Sequence, residues 1–156
     1  MEEEKVRELQ DRAVRYFCER PGNFPTGRPY NCCESVLLAL RDYIDLDPKL
    51  IPRIATSIGA GFSLNGLLCG CISSVAIVAG IKYGRDRAEE SPVPAWSAMD
   101  KYLSEFRARF VHVNCRELTG CDVKTQEGLK EYYSKVHDYA CADRVRFAVA
   151  KASDML

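Results

Sequence analysis

The chain has 156 residues, which fits one domain able to bury a core without help from disulfides. Hydrophobic residues make up 47% and charged residues 28%, an ordinary balance for a soluble globular protein. The 22 basic and 22 acidic side chains cancel and no basic stripe is present, which argues against nucleic acid as the main partner.

The opening MEEEKVRELQDRAVRYF is acidic and then amphipathic. It lacks the basic start and apolar core of a signal peptide, so a cytoplasmic protein is expected. Val6, Leu9, Ala13 and Phe17 recur at helical spacing, and Pro21-Gly22 stops that helix. Asn23 to Tyr30 reads as a loop with two prolines. Asn31 is a cap for a second helix that begins Cys32-Cys33-Glu34 and continues through SVLLALRDYI. Asp47-Pro48 signals a short helix running to about Ser57. Gly59 to Gly66 is a glycine-bearing turn.

A long helix then starts near Leu68 or Cys69 and closes at Lys82-Tyr83-Gly84. Its apolar run, Leu67 to Ile81, is shorter than the roughly 20 residues that span a bilayer. Gly70, Ser73, Ser74, Ala76, Ala79 and Gly80 let neighbouring backbones come close, so this helix is expected at the centre of a bundle. Arg85 to Pro94 is a charged loop. From Ala95 to Val113, Trp96, Met99, Leu103, Phe106 and Phe110 form one apolar face. Asn114-Cys115 repeats the pattern of Asn31-Cys32 and opens the short CRELTG. Thr125 to His137 reads as a helix, and Cys141 to Met155 as a separate final one. No segment alternates with period two. The expectation is an all-α, single-domain bundle of five to seven helices over residues 1–156.

Eight cysteines stand out: Cys18, Cys32, Cys33, Cys69, Cys71, Cys115, Cys121 and Cys141. In a cytosolic chain such an excess points to metal or redox chemistry. Cys32, Cys69, Cys115 and Cys141 each fall at an expected helix start. Unpaired amides and the helix dipole stabilise a thiolate there. Four thiolates together repel unless they hold an iron–sulfur cluster or another metal, or pair as disulfides. No CxxC pair is present, and the long gaps leave it to the fold to bring these residues together. Scattered buried thiols remain the alternative.

In order and local context the chain resembles the redox-active family named for its cysteine pattern, C_GCAxxG_C_C. The matching pieces are Asn31-Cys32 before ESVLLAL, the Gly59/Gly61 turn, CGCISSVAIVAGIKYG, a Phe-rich helix into NCRELTG, and Cys141 before DRVRFAVA. The resemblance covers roughly residues 28 to 155. It implies a small helical cytoplasmic protein that handles electrons through a site of Cys32, Cys69, Cys115 and Cys141. The related split-Soret cytochromes carry an iron–sulfur centre in a similar domain, which makes a cluster the implied cofactor. A homodimer is expected from the aromatic surplus and this resemblance together. Where the family has Cys-Gly-Ala-x-x-Gly, this chain has Cys69-Gly70-Cys71-Ile72-Ser73-Ser74. Cys33, Cys71 and Cys121 are additional. Neighbours one or two apart on a helix face different ways, so Cys33 and Cys71 are expected to pack as small residues rather than join Cys32 and Cys69. Extra ligands or alternative disulfide partners are the other reading.

Remaining candidates are weaker. GAGFSLNG matches no phosphate loop and follows no strand; a tight turn that lets backbone approach Cys69 is expected. His137 stands four residues before Cys141 and could reach a metal, but for it, as for His112, a surface or capped residue is the favoured reading. Arg28, just before Asn31-Cys32, and Arg116, beside Cys115, could lower a thiolate pKa or hold an anion, with a solvated arginine as the ordinary reading of each. Tyr30, Tyr83, Tyr132, Tyr133 and Tyr139 read as packing or interface residues. Three functions follow: an electron carrier holding an iron–sulfur cluster through four thiolates, with a redox partner protein; a thiol–disulfide oxidoreductase using a cysteine pair; or a structural zinc protein.

Overall fold

The structure is a computed structural model that describes residues 1–23 and 26–156. The expected loop Asn23–Tyr30 therefore lies in part outside the described residues. Among the described residues the chain is all-α. The nearest approach to a sheet is an isolated antiparallel bridge between Leu68 and Asn114.

Helix α1 (Glu3–Cys18) has Glu3 and Glu4 in its first turn and buries Leu9, Ala13 and Phe17, four residues apart on one stripe. Helix α2 (Cys32–Leu40) begins at a full capping box: the Asn31 side chain accepts from the Glu34 amide at 2.9 Å, and the Asn31 amide donates to Glu34 Oε2 at 2.8 Å. Every residue from Cys33 to Leu40 is buried, so α2 runs through the core. The helix expected from Asp47 to Ser57 is instead two 3-10 turns, Pro48–Leu50 and Arg53–Ala55. Pro52 lies between them, and it has no amide to continue a ladder.

The next segment, α3 (Gly59–Phe62), has the bonds of a helix but the opposite hand. Ala60, Gly61, Phe62, Ser63 and Leu64 all have φ between 53° and 70°. L-residues disfavour this conformation. Gly61 is the position where no other residue fits, because a Cβ would lie 2.7 Å from the Cys115 Cβ as well as 2.7 Å from the Leu67 amide.

Helix α4 (Gly70–Tyr83) buries Gly70 to Val75 without a break and packs on α2, α8 and α5. Its small residues are not used alike. A Cβ at Gly70 would come 2.5 Å from the Cys32 sulfur, whereas one at Gly80 would meet nothing within 4 Å. Helix α5 (Val93–Phe110) buries Tyr102 and Phe106. Trp96, expected on its apolar face, is instead 64% exposed, because the first turns of α5 overhang the core. Helix α6 (Cys115–Thr119) ends at Gly120 in the left-handed region.

The last two expected helices are one. Helix α7 (Gln126–Glu131) runs through a π-helical stretch, Tyr132–Cys141, into α8 (Ala142–Ser153). No Gly or Pro interrupts residues 129–153, so nothing breaks the rod. The π stretch absorbs the mismatch between the faces α7 and α8 present. Helices α1, α2, α4 and α8 form the body, with Leu9, Phe17, Leu37, Leu40, Val75 and Val145 buried between them. Each such side chain contributes about 1.5–3 kcal/mol by burial.

Candidate redox centre

Two elements bring three cysteines near one another. Cys32 is the first residue of α2, Cys69 caps the start of α4, and Cys71 lies one residue inside α4. They lie close enough for each to shift the titration of the others. The neighbouring Cys69 and Cys71 thiols, with the Ala60 and Cys33 amides, hold Cys32 well below the ordinary thiol range. The nearness of Cys32 pushes Cys69 well above that range, and Cys32, Cys69 and burial do the same to Cys71. The glycine turn thus serves Cys32 through the Ala60 amide and Cys115 through Gly61, rather than Cys69 as the sequence suggests.

Cys115 opens α6 after Asn114, whose side chain does not cap the helix but donates to Glu117 at 3.1 Å. Two strand-like bonds position it beside the α4 start: the Cys115 amide donates to Leu67 O at 2.6 Å, and the Cys69 amide to Val113 O at 2.9 Å. Burial pushes the Cys115 thiol up to about 12, with the charges of Cys32 and Cys141 adding to the shift. Cys141 departs from expectation. It is the last residue of the π stretch inside a continuous helix, so no free helix start supports it. Burial raises it to about 11, against the opposing pull of Arg144 and a hydrogen bond from Tyr132.

Arg144 is the side chain that composition and spacing do not reveal. It is only 8% exposed. Its Nη1 donates to the Cys141 sulfur at 3.3 Å and its Nη2 to Leu118 O at 2.7 Å, while Nε has no partner. No carboxylate pairs with it among the described residues. Among those residues, the one group near it able to carry a negative charge is the Cys141 sulfur. Tyr102 supports the other side, donating to the Cys71 carbonyl at 3.1 Å from within the core. Burial and the nearby Cys71 charge raise its phenol far above the ordinary range.

Residues 30–155 match the family model described as "Putative redox-active protein (C_GCAxxG_C_C)". The chain belongs to this family. No curated protein and no solved structure matches it. As a C_GCAxxG_C_C protein it departs from the pattern at Cys71. Just past the start of α4, Cys71 is buried, as a packed small residue would be, and lies near enough to Cys32 and Cys69 for them to raise its pKa. Cys33 is fully buried in the core, and burial raises its thiol far above the ordinary range. Cys121 donates its thiol to Thr119 O at 3.4 Å. All eight cysteines are free.

The remaining candidates separate. Cys18, His137 and Asp138 place a sulfur, a ring nitrogen and a carboxylate oxygen within 4.8 Å of one another. Arg20 donates to both Asp138 oxygens, at 3.0 and 3.2 Å, and its charge opposes a cation there. His137 is buried and stacks on Phe17 at 4.0 Å. His112 lies at the surface, 3.8 Å from Glu117. Arg116 is bound by Asp122 at 2.8 and 3.0 Å and is not a thiolate partner. Tyr83 donates to Met155 O, and Tyr139 is 70% exposed.

Sulfur donors are of the kind that bind soft metals and iron–sulfur clusters, but among the described residues the one group with three ligand atoms mutually within 4.8 Å is Cys18, His137 and Asp138, not these cysteines. The cysteine sulfurs come from four elements, and backbone amides of Cys33 and Cys71 adjoin Cys32 and Cys69. Arg144 offers a buried positive charge to a group that is negative when its ligands are deprotonated.

Proposed function

We propose that this protein carries electrons through an iron–sulfur cluster held by Cys32, Cys69, Cys115 and Cys141. The observation that carries the reading is Arg144: a buried guanidinium without a carboxylate, aimed at Cys141. An unpaired buried charge costs several kcal/mol, and a thiolate-ligated centre supplies the missing negative charge. When bound, the cluster supplies one-electron chemistry. The chain's own groups hold the sulfurs: the Ala60 and Cys33 amides at Cys32, Tyr132 and Arg144 at Cys141. Such donors stabilise the more negative, reduced state and raise the potential.

A second reading follows from Cys71. A thiolate at Cys32 flanked by two thiols is also the arrangement of thiol–disulfide exchange. Cys32 would attack a substrate disulfide to form a mixed disulfide, releasing one thiolate. Cys69 or Cys71 would then displace the second thiolate, leaving the protein pair oxidised by two electrons and the substrate reduced.

Anaerobic purification, an absorption spectrum, and iron, zinc and acid-labile sulfide analysis on one sample separate these. The cluster reading expects a brown protein with iron and sulfide in near-equal amounts. Serine at Cys32, Cys69, Cys115 or Cys141 removes most of both, and Cys33→Ala and Cys121→Ala keep them. A colourless, metal-free protein whose thiol titre rises on reduction establishes the exchange reading instead. Zinc without sulfide makes the site structural and ends the electron-transfer reading.

A further inference from the structure

Beside the cysteines lies a cavity of about 510 Å³, well within the size range of small-molecule sites. Cys32 and Cys115 form part of its wall. Facing them is an aromatic surface of Phe17, Tyr132, Tyr133 and His137. Phe17 and His137 are stacked with 15° between their planes, and Tyr132 meets Tyr133 edge-on at 5.2 Å.

The charge at the opening is one-sided. Arg28 lines this cavity and also an adjoining one of about 460 Å³, whose lining includes Arg20 and Lys130. Arg20 is engaged by Asp138, whereas Arg28 has no carboxylate partner among the described residues. The carboxylate in the cavity lining, Glu34, is already used: Oε2 accepts from the Asn31 amide at 2.8 Å and Oε1 from Thr56 at 2.6 Å. An incoming anion therefore meets the Arg28 cation at the exposed loop and no unengaged carboxylate in the lining.

We propose that this cavity binds a small, planar, apolar molecule bearing one anionic group. Its ring lies against the aromatic wall beside Cys32, and its charge reaches Arg28. That this ligand serves the cysteine centre rests on the redox reading above; its binding does not.

The test is isothermal titration of the anaerobically purified full chain, with iron and sulfide measured on the same sample. The probes are 2-naphthoate and the neutral 2-naphthalenemethanol. Naphthoate is expected to bind at one site per chain in the micromolar range. Arg28→Gln, on an exposed loop, weakens naphthoate about tenfold and leaves the alcohol within about twofold. Leu129→Trp fills the cavity and removes both. Circular dichroism melts check that each variant is folded. No saturable binding to the wild type overturns the proposal, as does a folded Leu129→Trp that binds normally. Equal effects of Arg28→Gln on the two probes overturn the anionic part. A brown protein that ignores naphthoate defeats the cavity alone, and a colourless one that binds it defeats the cluster alone.

Discussion

Arg144 and His137 are both buried basic side chains, and they answer burial in opposite ways. A guanidinium cannot shed its proton, so Arg144 keeps its charge and faces Cys141. An imidazole can, and burial lowers the pKa of His137 despite the neighbouring Asp138. The Asp138 carboxylate is itself held below its ordinary range, so it accepts, and His137 Nδ1 donates to it at 2.6 Å. Near pH 6.5 and below, the unfolded chain protonates this histidine while the folded chain resists. The unfolded state then binds more protons, and stability falls as pH drops from there toward the folded pKa. Urea unfolding at about pH 7 and pH 5.5 should show a loss in the wild type that His137→Phe, which keeps the stack on Phe17, reduces. Equal losses in both proteins would show that this histidine does not govern the acid limb.

Among the elements, α4 carries the sharpest constraint. Gly70 sits where α4 crosses the start of α2, and a single methyl there reaches the Cys32 sulfur and lies 3.2 Å from the Cys33 amide. Gly70→Ala should therefore cost about 1–3 kcal/mol through overpacking and displace Cys32. Gly80→Ala, in the same helix with open space around it, should be neutral or stabilising by about 0.5–1 kcal/mol. Denaturation midpoints for the pair decide this; equal effects would mean that α2 and α4 can slide apart freely. The long helices were legible because their stripes are regular and their ends carry Pro, Gly and Asn. The left-handed turn was not, since Ala60, Phe62, Ser63 and Leu64 carry no local signal for positive φ and are held by the bonds Phe62 N–H to Ile58 O and Ser63 N–H to Gly59 O. Nor was the π stretch, because its composition is ordinary and tertiary packing sets its register.

Across the whole molecule, the cysteines come from both halves of the chain, and the order of Cys32, Cys69, Cys115 and Cys141 was readable because each sits in a distinctive local motif. Arg144 and Tyr102 were not readable, since a buried Arg or Tyr looks like any other until the fold brings it to a cysteine. The proposed centre would also have a mechanical role. Helix α6 is only five residues long, too short to be stable alone, and it packs on the left-handed turn and the π stretch. Backbone bonds from Cys115 to Leu67 and from Cys69 to Val113 fasten it to the start of α4. A metal bridging Cys69, Cys115 and Cys141 would tie α4, α6 and the last helix together, and its binding energy would become local stability. Removing it by chelation should leave the α1–α8 contact intact, where Leu9, Ala13 and Val145 are fully buried. Amides of residues 60–69 and 112–119 should then exchange with solvent at least about tenfold faster, a change of about 1.4 kcal/mol in local opening. Hydrogen exchange on loaded and chelated protein reads this directly. Uniform acceleration across all helices would mean that the centre supports the entire fold, and no acceleration would mean that α6 is held by its own packing.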